Sequence, residues 1–431
     1  MAGGEILKTD FSHFFYALTA PIFAAMIHWK KLAQSEIHDR VFSALEKNVN
    51  FFDETIVGVP ASHLDSRVFF SDASFLKDAP FLSALIHNPN HIGCHTLGKS
   101  ESFFSGTQAI ERELIGICAH DILRGEGEFD GYVASGGTEA NLQAAWIYRN
   151  YFMEEMGLKA HEIALLASSD GHYSMAKACN VLGLSLHSVS VTNDTRKVEA
   201  AAIASAIIKL KVKGCKAVIV VVNMMTTMFG SVDDPALYID ALKIANMPFK
   251  MHVDGAYGGF FYPFSGEKNI PDFTYPEICS VTLDAHKMVQ APYGTGIFII
   301  RKGWMNYAAT KEASYVEGED STLIGSRSGA NAVAIWMILT TYGPYAWREK
   351  IFVLQKRTNW LADQLKAKNI TFFREPSSNI ITIRAEHVPH ELAEKFVLVP
   401  DNHHAPKWFK IVVMDHVTIE RLMPVVEGLI D

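Results

Sequence analysis

The sequence predicts an α/β fold with a mostly parallel central sheet flanked by helices, and three observations carry that expectation. From about Gly131 to Arg301, short β-rich runs alternate with longer helix-compatible stretches, the order that a parallel sheet with helical crossovers requires. Most of the β-rich runs are apolar throughout rather than alternating, as strands buried on both faces are. Polar or glycine-containing segments follow them, at the strand ends where such a sheet collects its functional loops.

From the amino terminus, residues 1–60 read as a helical arm, with apolar residues at helical intervals through Ile37, Val41, Leu45, Val49 and Phe52. Phe14 to Trp29 is apolar enough to suggest a signal or membrane segment. It is short, however, contains Thr19 and Pro21, and has only Lys8 as a lysine or arginine before it. A helix buried in a core or subunit interface is expected instead. A large α/β domain is expected over 61–322, with candidate strands Ile163 to Ala167, Ala217 to Val222, Phe249 to Val253, Cys279 to Leu283 and Gly296 to Ile300. Beyond Arg327, Ala330 to Tyr342 suits a buried helix. Strand-like pieces at Ile380 to Ile383 and Phe409 to Val413 then suggest a small α+β domain over 323–431.

The bulk numbers narrow the partners. A chain of 431 residues with 49% apolar and 20% charged residues is that of an ordinary soluble globular protein of two or three structural units. Its net charge of −8 offers no electrostatic footprint for nucleic acid or an anionic membrane, so small metabolites are the expected ligands. Cys94, Cys118, Cys179, Cys215 and Cys279 are widely spaced, odd in number and form no CxxC pair. A reducing, cytoplasmic setting is expected. No metal is expected, because the adjacent His403-His404 cannot point two ligands from one helix face.

Four segments carry the chemistry. Ser135-Gly136-Gly137-Thr138-Glu139-Ala140-Asn141 opens a helical stretch after Tyr132-Val133-Ala134; its glycines, hydroxyl and helix N-terminus suit a phosphate, although such a segment is often only a turn and an N-cap. His172, in Gly171-His172-Tyr173-Ser174, could stack on a flat ring. Asp254 ends an apolar strand and is followed by the small residues Gly255-Ala256, with Gly258-Gly259 close behind. Asp284-Ala285-His286-Lys287 follows the next apolar run. Each alone has a bland alternative, a capped loop or an exposed turn. Together, in the order phosphate loop, stacking histidine, aspartate and lysine, they suit pyridoxal phosphate (PLP), whose aldehyde needs a lysine amine and whose ring nitrogen needs a carboxylate to stay protonated.

These residues resemble the group II PLP-dependent amino-acid decarboxylases of fold type I, over about Asn88 to Glu420. Further matching pieces are His252-Val253-Asp254, Gly325-Ser326-Arg327-Ser328-Gly329 and Val412 to Thr418. The resemblance is strongest to the compact branch that contains archaeal tyrosine and aspartate decarboxylases. It implies that Lys287 holds the cofactor covalently, Asp254 pairs with the ring nitrogen, His172 stacks on the ring, and Gly137, Thr138 and His286 hold the phosphate, with Ala256 beside the ring. Thr226 lies in a segment where Met225 replaces a family glycine. Tyr315 occupies the place of a mobile-loop tyrosine that protonates the substrate carbon after CO2 leaves. Ser326 would reach the phosphate of a neighbouring subunit, so a homodimer is implied.

The expected activity is α-decarboxylation of an L-amino acid, aromatic or acidic: tyrosine, aspartate or glutamate. His91, Cys94, His95, Lys99, Phe103 and Phe104 fall in a segment that lines the substrate pocket in similar proteins. There the histidines and lysine would suit an acidic side chain and the phenylalanines an aromatic one. The rivals are a PLP-dependent carbon–carbon lyase on the same scaffold and a catalytically silent regulatory protein.

Overall fold

The computed structural model describes residues 27–50, 64–65, 69–98, 101–310, 317 and 319–430. Most of the apolar segment Phe14 to Trp29, Lys99 and Tyr315 lie outside the described residues. The described part of the expected helical arm holds α1, Gln34–Glu46, whose buried face is Ile37, Val41, Ala44 and Leu45.

Seven strands build the central sheet: β2 (Phe129–Ala134), β3 (Ile163–Ser168), β4 (Ser185–Val189), β5 (Ala217–Asn223), β6 (Phe249–Gly255), β7 (Ile278–Asp284) and β8 (Gly296–Arg301). Their order is β2-β8-β7-β6-β5-β3-β4. Neighbours from β7 to β4 pair parallel, while β8 runs antiparallel to both β7 and β2. The continuous apolar runs are explained by burial on both faces: every residue of β3, β5 and β7 is buried. Along β5, Val218, Val220 and Val222 enter the core on one face, and Ala217, Ile219 and Val221 enter the core on the other, as the two-residue period of a strand demands. The sequence reading omitted β4. It is an edge strand, exposed at Ser185, Leu186 and Ser188, and its serines and histidine hide the apolar pattern.

A short strand β1 (Asn90–Ile92) pairs antiparallel with β9 (Ser326–Ser328). The long helix that follows, Gly329–Ala367, breaks its geometry at Gly343, where φ is +63° and Pro344 follows. Its first part, including Val333, Trp336 and Leu339, packs into the core of the large sheet; Leu361 and Leu365 pack under the small sheet. That small antiparallel sheet is ordered β10 (Phe372–Phe373), β11 (Ile380–Arg384), β13 (Trp408–Val412), β12 (Val399–Pro400). No described helix is long and apolar enough to cross a membrane.

The topology gathers chemistry at the carboxyl ends of the parallel strands. Asn223 is in register with Asp254, Asp254 with Thr282, and Asp284 with Gly296, which also faces Ala134. The loops leaving β2, β3, β5, β6 and β7 therefore start side by side.

Candidate active site

Those loops enclose a cavity of about 380 Å³ lined by residues that include Gly137, Thr138, His172, Thr226, Asp254, Ala256, His286 and Lys287. Glycine is needed at its base because strand and loop touch. A Cβ on Gly296 would fall 2.5 Å from the Gly136 carbonyl carbon, and one on Gly137 would fall 2.9 Å from Asp284 Oδ2. The helix Gly137–Met156 begins here, so its first-turn N–H groups and the positive end of its dipole face the cavity. Glu139 folds back instead of blocking them: its Oε2 accepts from the Ser135 N–H at 2.7 Å and the Ser135 hydroxyl at 2.6 Å.

Asp254 is buried. Its Oδ1 accepts from the Ala256 N–H at 3.1 Å and its Oδ2 from Asn141 Nδ2 at 3.0 Å. Lys287 Nζ lies 2.9 Å from Asp284 Oδ2. His172 Nδ1 is 2.9 Å from the Ser174 hydroxyl, and the Ser174 N–H donates to the same nitrogen at 3.3 Å. Burial lowers the pKa of His172 against the pull of Asp254, and lowers that of His286 against the pull of Asp284; both rings are therefore biased to the neutral form.

The chain matches the family profile described as "Pyridoxal-dependent decarboxylase conserved domain" over residues 109–380. The chain belongs to the group II PLP-dependent decarboxylase family. It is 48% identical over 406 residues to a tryptophan decarboxylase of Clostridium sporogenes, covering 94% of this chain and 97% of that one. It is 31% identical over 339 residues to a probable L-tyrosine/L-aspartate decarboxylase of Methanothermobacter thermautotrophicus, covering 76% and 88%. Among solved structures, L-methionine decarboxylase from Streptomyces sp. 590 superposes with a TM-score of 0.66 at 20% identity, over 78% of this chain and 85% of that one. A Burkholderia pseudomallei sphingosine-1-phosphate lyase does so with a TM-score of 0.66 at 16% identity, over 100% and 92%. At those identities the structures establish the fold type I architecture. The sequence relatives and the profile make this decarboxylase a PLP-dependent amino-acid decarboxylase.

The residues fit the cofactor. Asp284 Oδ1 and His286 Nδ1 are buried without a hydrogen-bond partner in the protein, beside an amine, a carboxylate at the end of β6 and a helix N-terminus. Thr226 lines the cavity, but its hydroxyl is shared with the Ser231 hydroxyl at 2.8 Å. Its neighbour Met225 stands at φ +70°, which explains why a glycine suits that position in the family.

Other expected residues are not on the cavity wall. His91 and His95 are buried; His91 Nδ1 lies 3.1 Å and His95 Nε2 3.2 Å from Glu111 Oε2. Within one chain, the β1–β9 pairing and Glu111 hold them in the interior, away from the cavity wall. Phe104 is buried as well and Phe103 is exposed; Ser326 is exposed on β9. None of the three lines the cavity within one chain. Burial pushes the Glu111 carboxyl up, but the Arg327 guanidinium and His91 overcome it and hold the carboxyl well below its usual range. His91, His95 and Glu111 have the types and spacing of metal ligands. The guanidinium already bound to Glu111 opposes a second cation there.

Several lining residues were absent from the sequence-derived site: Asn141, Asp284 and Glu139, together with Asn223, Met225, Tyr173, Tyr257 and Tyr293. The first three stand inside the motifs that signalled the site. What identifies them is the bonding of their side chains, which the motifs alone do not display.

Proposed function

We propose that this enzyme removes the α-carboxylate of L-tryptophan, giving tryptamine and CO2. The near-full-length similarity to a tryptophan decarboxylase carries this choice. A second observation favours it over aspartate and glutamate: the described residues lining the cavity include no arginine, and His91 and His95 are turned to Glu111. An acidic side chain would have little cationic surface to meet. Tyr173 and Tyr293 offer exposed rings at the cavity wall instead.

When bound, PLP supplies the electron sink that lets the bond to the carboxylate break. Lys287 is the amine that attaches the cofactor, and Asp284 holds that amine in place. Asp254 holds a proton on the ring nitrogen. Gly137, Thr138 and His286 would bind the phosphate, Ala256 would leave room for the ring, and neutral His172 would stack on it. Tyr315 delivers a proton to Cα of the substrate. We assign the enzyme a homodimeric state in which Ser326 of β9 reaches a neighbouring site, and a cytoplasmic location in keeping with five buried free thiols.

The test is kcat/KM for L-tryptophan against phenylalanine, tyrosine, aspartate and glutamate, with each amine product identified. Tryptophan should lead by at least about tenfold, the scale that one well-filled apolar subsite supplies. A preference for aspartate or glutamate would overturn the substrate assignment while leaving the reaction class in place.

A further inference from the structure

Behind Asp254 lies a buried polar chain that the reaction chemistry leaves unexplained. Asn141 Nδ2 reaches both Asp254 Oδ2, at 3.0 Å, and the Ser174 hydroxyl, at 3.1 Å. An ionised carboxylate can only accept, so the amide nitrogen must face it. Asn141 Oδ1 then faces His252 Nε2 at 2.9 Å and accepts a hydrogen bond from its N–H, which the Thr282 hydroxyl also approaches at 3.1 Å. His252 Nδ1 is left to accept from the Ser280 hydroxyl at 2.7 Å, and that hydroxyl in turn meets the Tyr148 hydroxyl. Asn141, His252, Ser280 and Tyr148 are all at most 2% exposed.

The directions propagate to the cavity. Ser174 Oγ accepts from Asn141, so its own proton is free for His172 Nδ1, 2.9 Å away, where the Ser174 N–H also points. Two donors converge on that nitrogen, so the His172 proton sits on Nε2. One amide therefore governs both groups that face the cofactor ring.

We propose that Asn141 and His252 are positioning residues: together they hold Asp254 as a fixed acceptor for the ring nitrogen and lock His172 as the tautomer with Nδ1 accepting and Nε2 protonated. The inference rests on the assignment of Asp254 to the ring nitrogen made above. It concerns side chains that act on the cofactor through Asp254 and His172.

The test compares Asn141→Leu, His252→Leu and His252→Gln, with Asp254→Asn as the reference. Two quantities are read: the dissociation constant of PLP, from absorbance titration of the stripped enzyme, and the His172 ring nitrogens, from long-range ¹H–¹⁵N spectra. Losing a hydrogen bond to a buried charge should weaken cofactor binding by about 10- to 100-fold in Asn141→Leu. The His172 Nδ1 resonance should shift, because the Ser174 hydroxyl that Asn141 orients is released while the Ser174 N–H stays in place. His252→Leu should shift both readouts the same way, and His252→Gln, which keeps a donor towards Asn141 Oδ1, should restore most of the loss. Should Asn141→Leu fail to fold, the His252 pair makes the same discrimination. Cofactor affinity within about twofold of wild type together with an unchanged His172 Nδ1 resonance, in either leucine variant, would overturn the proposal. If Asp254→Asn also binds normally, the ring-nitrogen assignment itself falls; if it alone weakens binding, only the positioning role does.

Discussion

Lys287 and Met225 show two ways in which a single residue is constrained here. Lys287 is paired with Asp284 at 2.9 Å in a cavity shared with Asp254 and His172. Lys287→Ala should therefore abolish turnover with every amino acid, while leaving the thermal midpoint of the cofactor-free protein close to wild type. Normal activity in that variant would remove Lys287 from the mechanism. Met225 is held at φ +70° and is 3% exposed. Replacing it by glycine relieves about 1–2 kcal/mol of left-handed strain, but deletes a buried side chain whose removal costs about 2–5 kcal/mol. Burial wins, so Met225→Gly should lower the urea midpoint; an increase would mean that strain dominates. The motif residues Lys287, Asp254 and His172 were legible from one sequence because each follows an apolar strand. Asn141 was visible as a letter in a motif, yet its partners His252 and Asp254 are more than a hundred positions away, and no local pattern encodes that meeting.

At the scale of elements, the site depends on how closely β8 approaches the loop after β2. A Cβ at Gly296 would meet backbone atoms of Gly136 at 2.5–2.8 Å, whereas one at Gly137 would first meet side-chain atoms, Asp284 Oδ2 at 2.9 Å and the Ala256 Cβ at 3.1 Å. Backbone cannot step aside as a carboxylate can. Gly296→Ala should thus cost about 1–3 kcal/mol of stability, more than Gly137→Ala, which should chiefly weaken PLP binding by disturbing the Asp284–Lys287 pair. Urea midpoints and cofactor titrations on the two variants check this; equal stability losses would contradict it. The fully buried strands β3, β5 and β7 could be read from their largely apolar runs, and they and β6 lie within a residue or two of the expected ends. Edge strand β4 could not, because an edge need not be apolar.

Across the whole molecule, buried histidines weaken the fold in acid. Burial pushes His95 down to about 3 and His252 down to about 4, whereas the ordinary value is 6.5. Folded chains keep these rings neutral while unfolded chains protonate them, so the unfolded state binds more protons below about pH 6.5. Stability should be full above that value and fall as the pH drops towards the folded values, by about 1.4 kcal/mol per pH unit for each group. The urea midpoint of the cofactor-free protein should be lower at about pH 5.5 than at about pH 7.5, because His87, His91, His95 and His252 together outweigh Asp233, whose carboxyl burial pushes up to about 6 and whose contribution runs the other way; a flat profile would contradict that balance. The histidines also show what the sequence could not supply. His91 and His95 stood beside substrate-pocket motifs and suited an acidic ligand, but the pairing of β1 with β9 and the Glu111–Arg327 pair draw them inside.

Product stoichiometry decides whether the enzyme removes the α-carboxylate of tryptophan. Purified PLP-loaded enzyme is given L-tryptophan, and CO2, tryptamine and remaining tryptophan are quantified together. One CO2 and one tryptamine for each tryptophan consumed, and neither from Lys287→Ala, is the predicted result. Tryptophan consumed without CO2, or CO2 released from aspartate or glutamate but not from tryptophan, would contradict it.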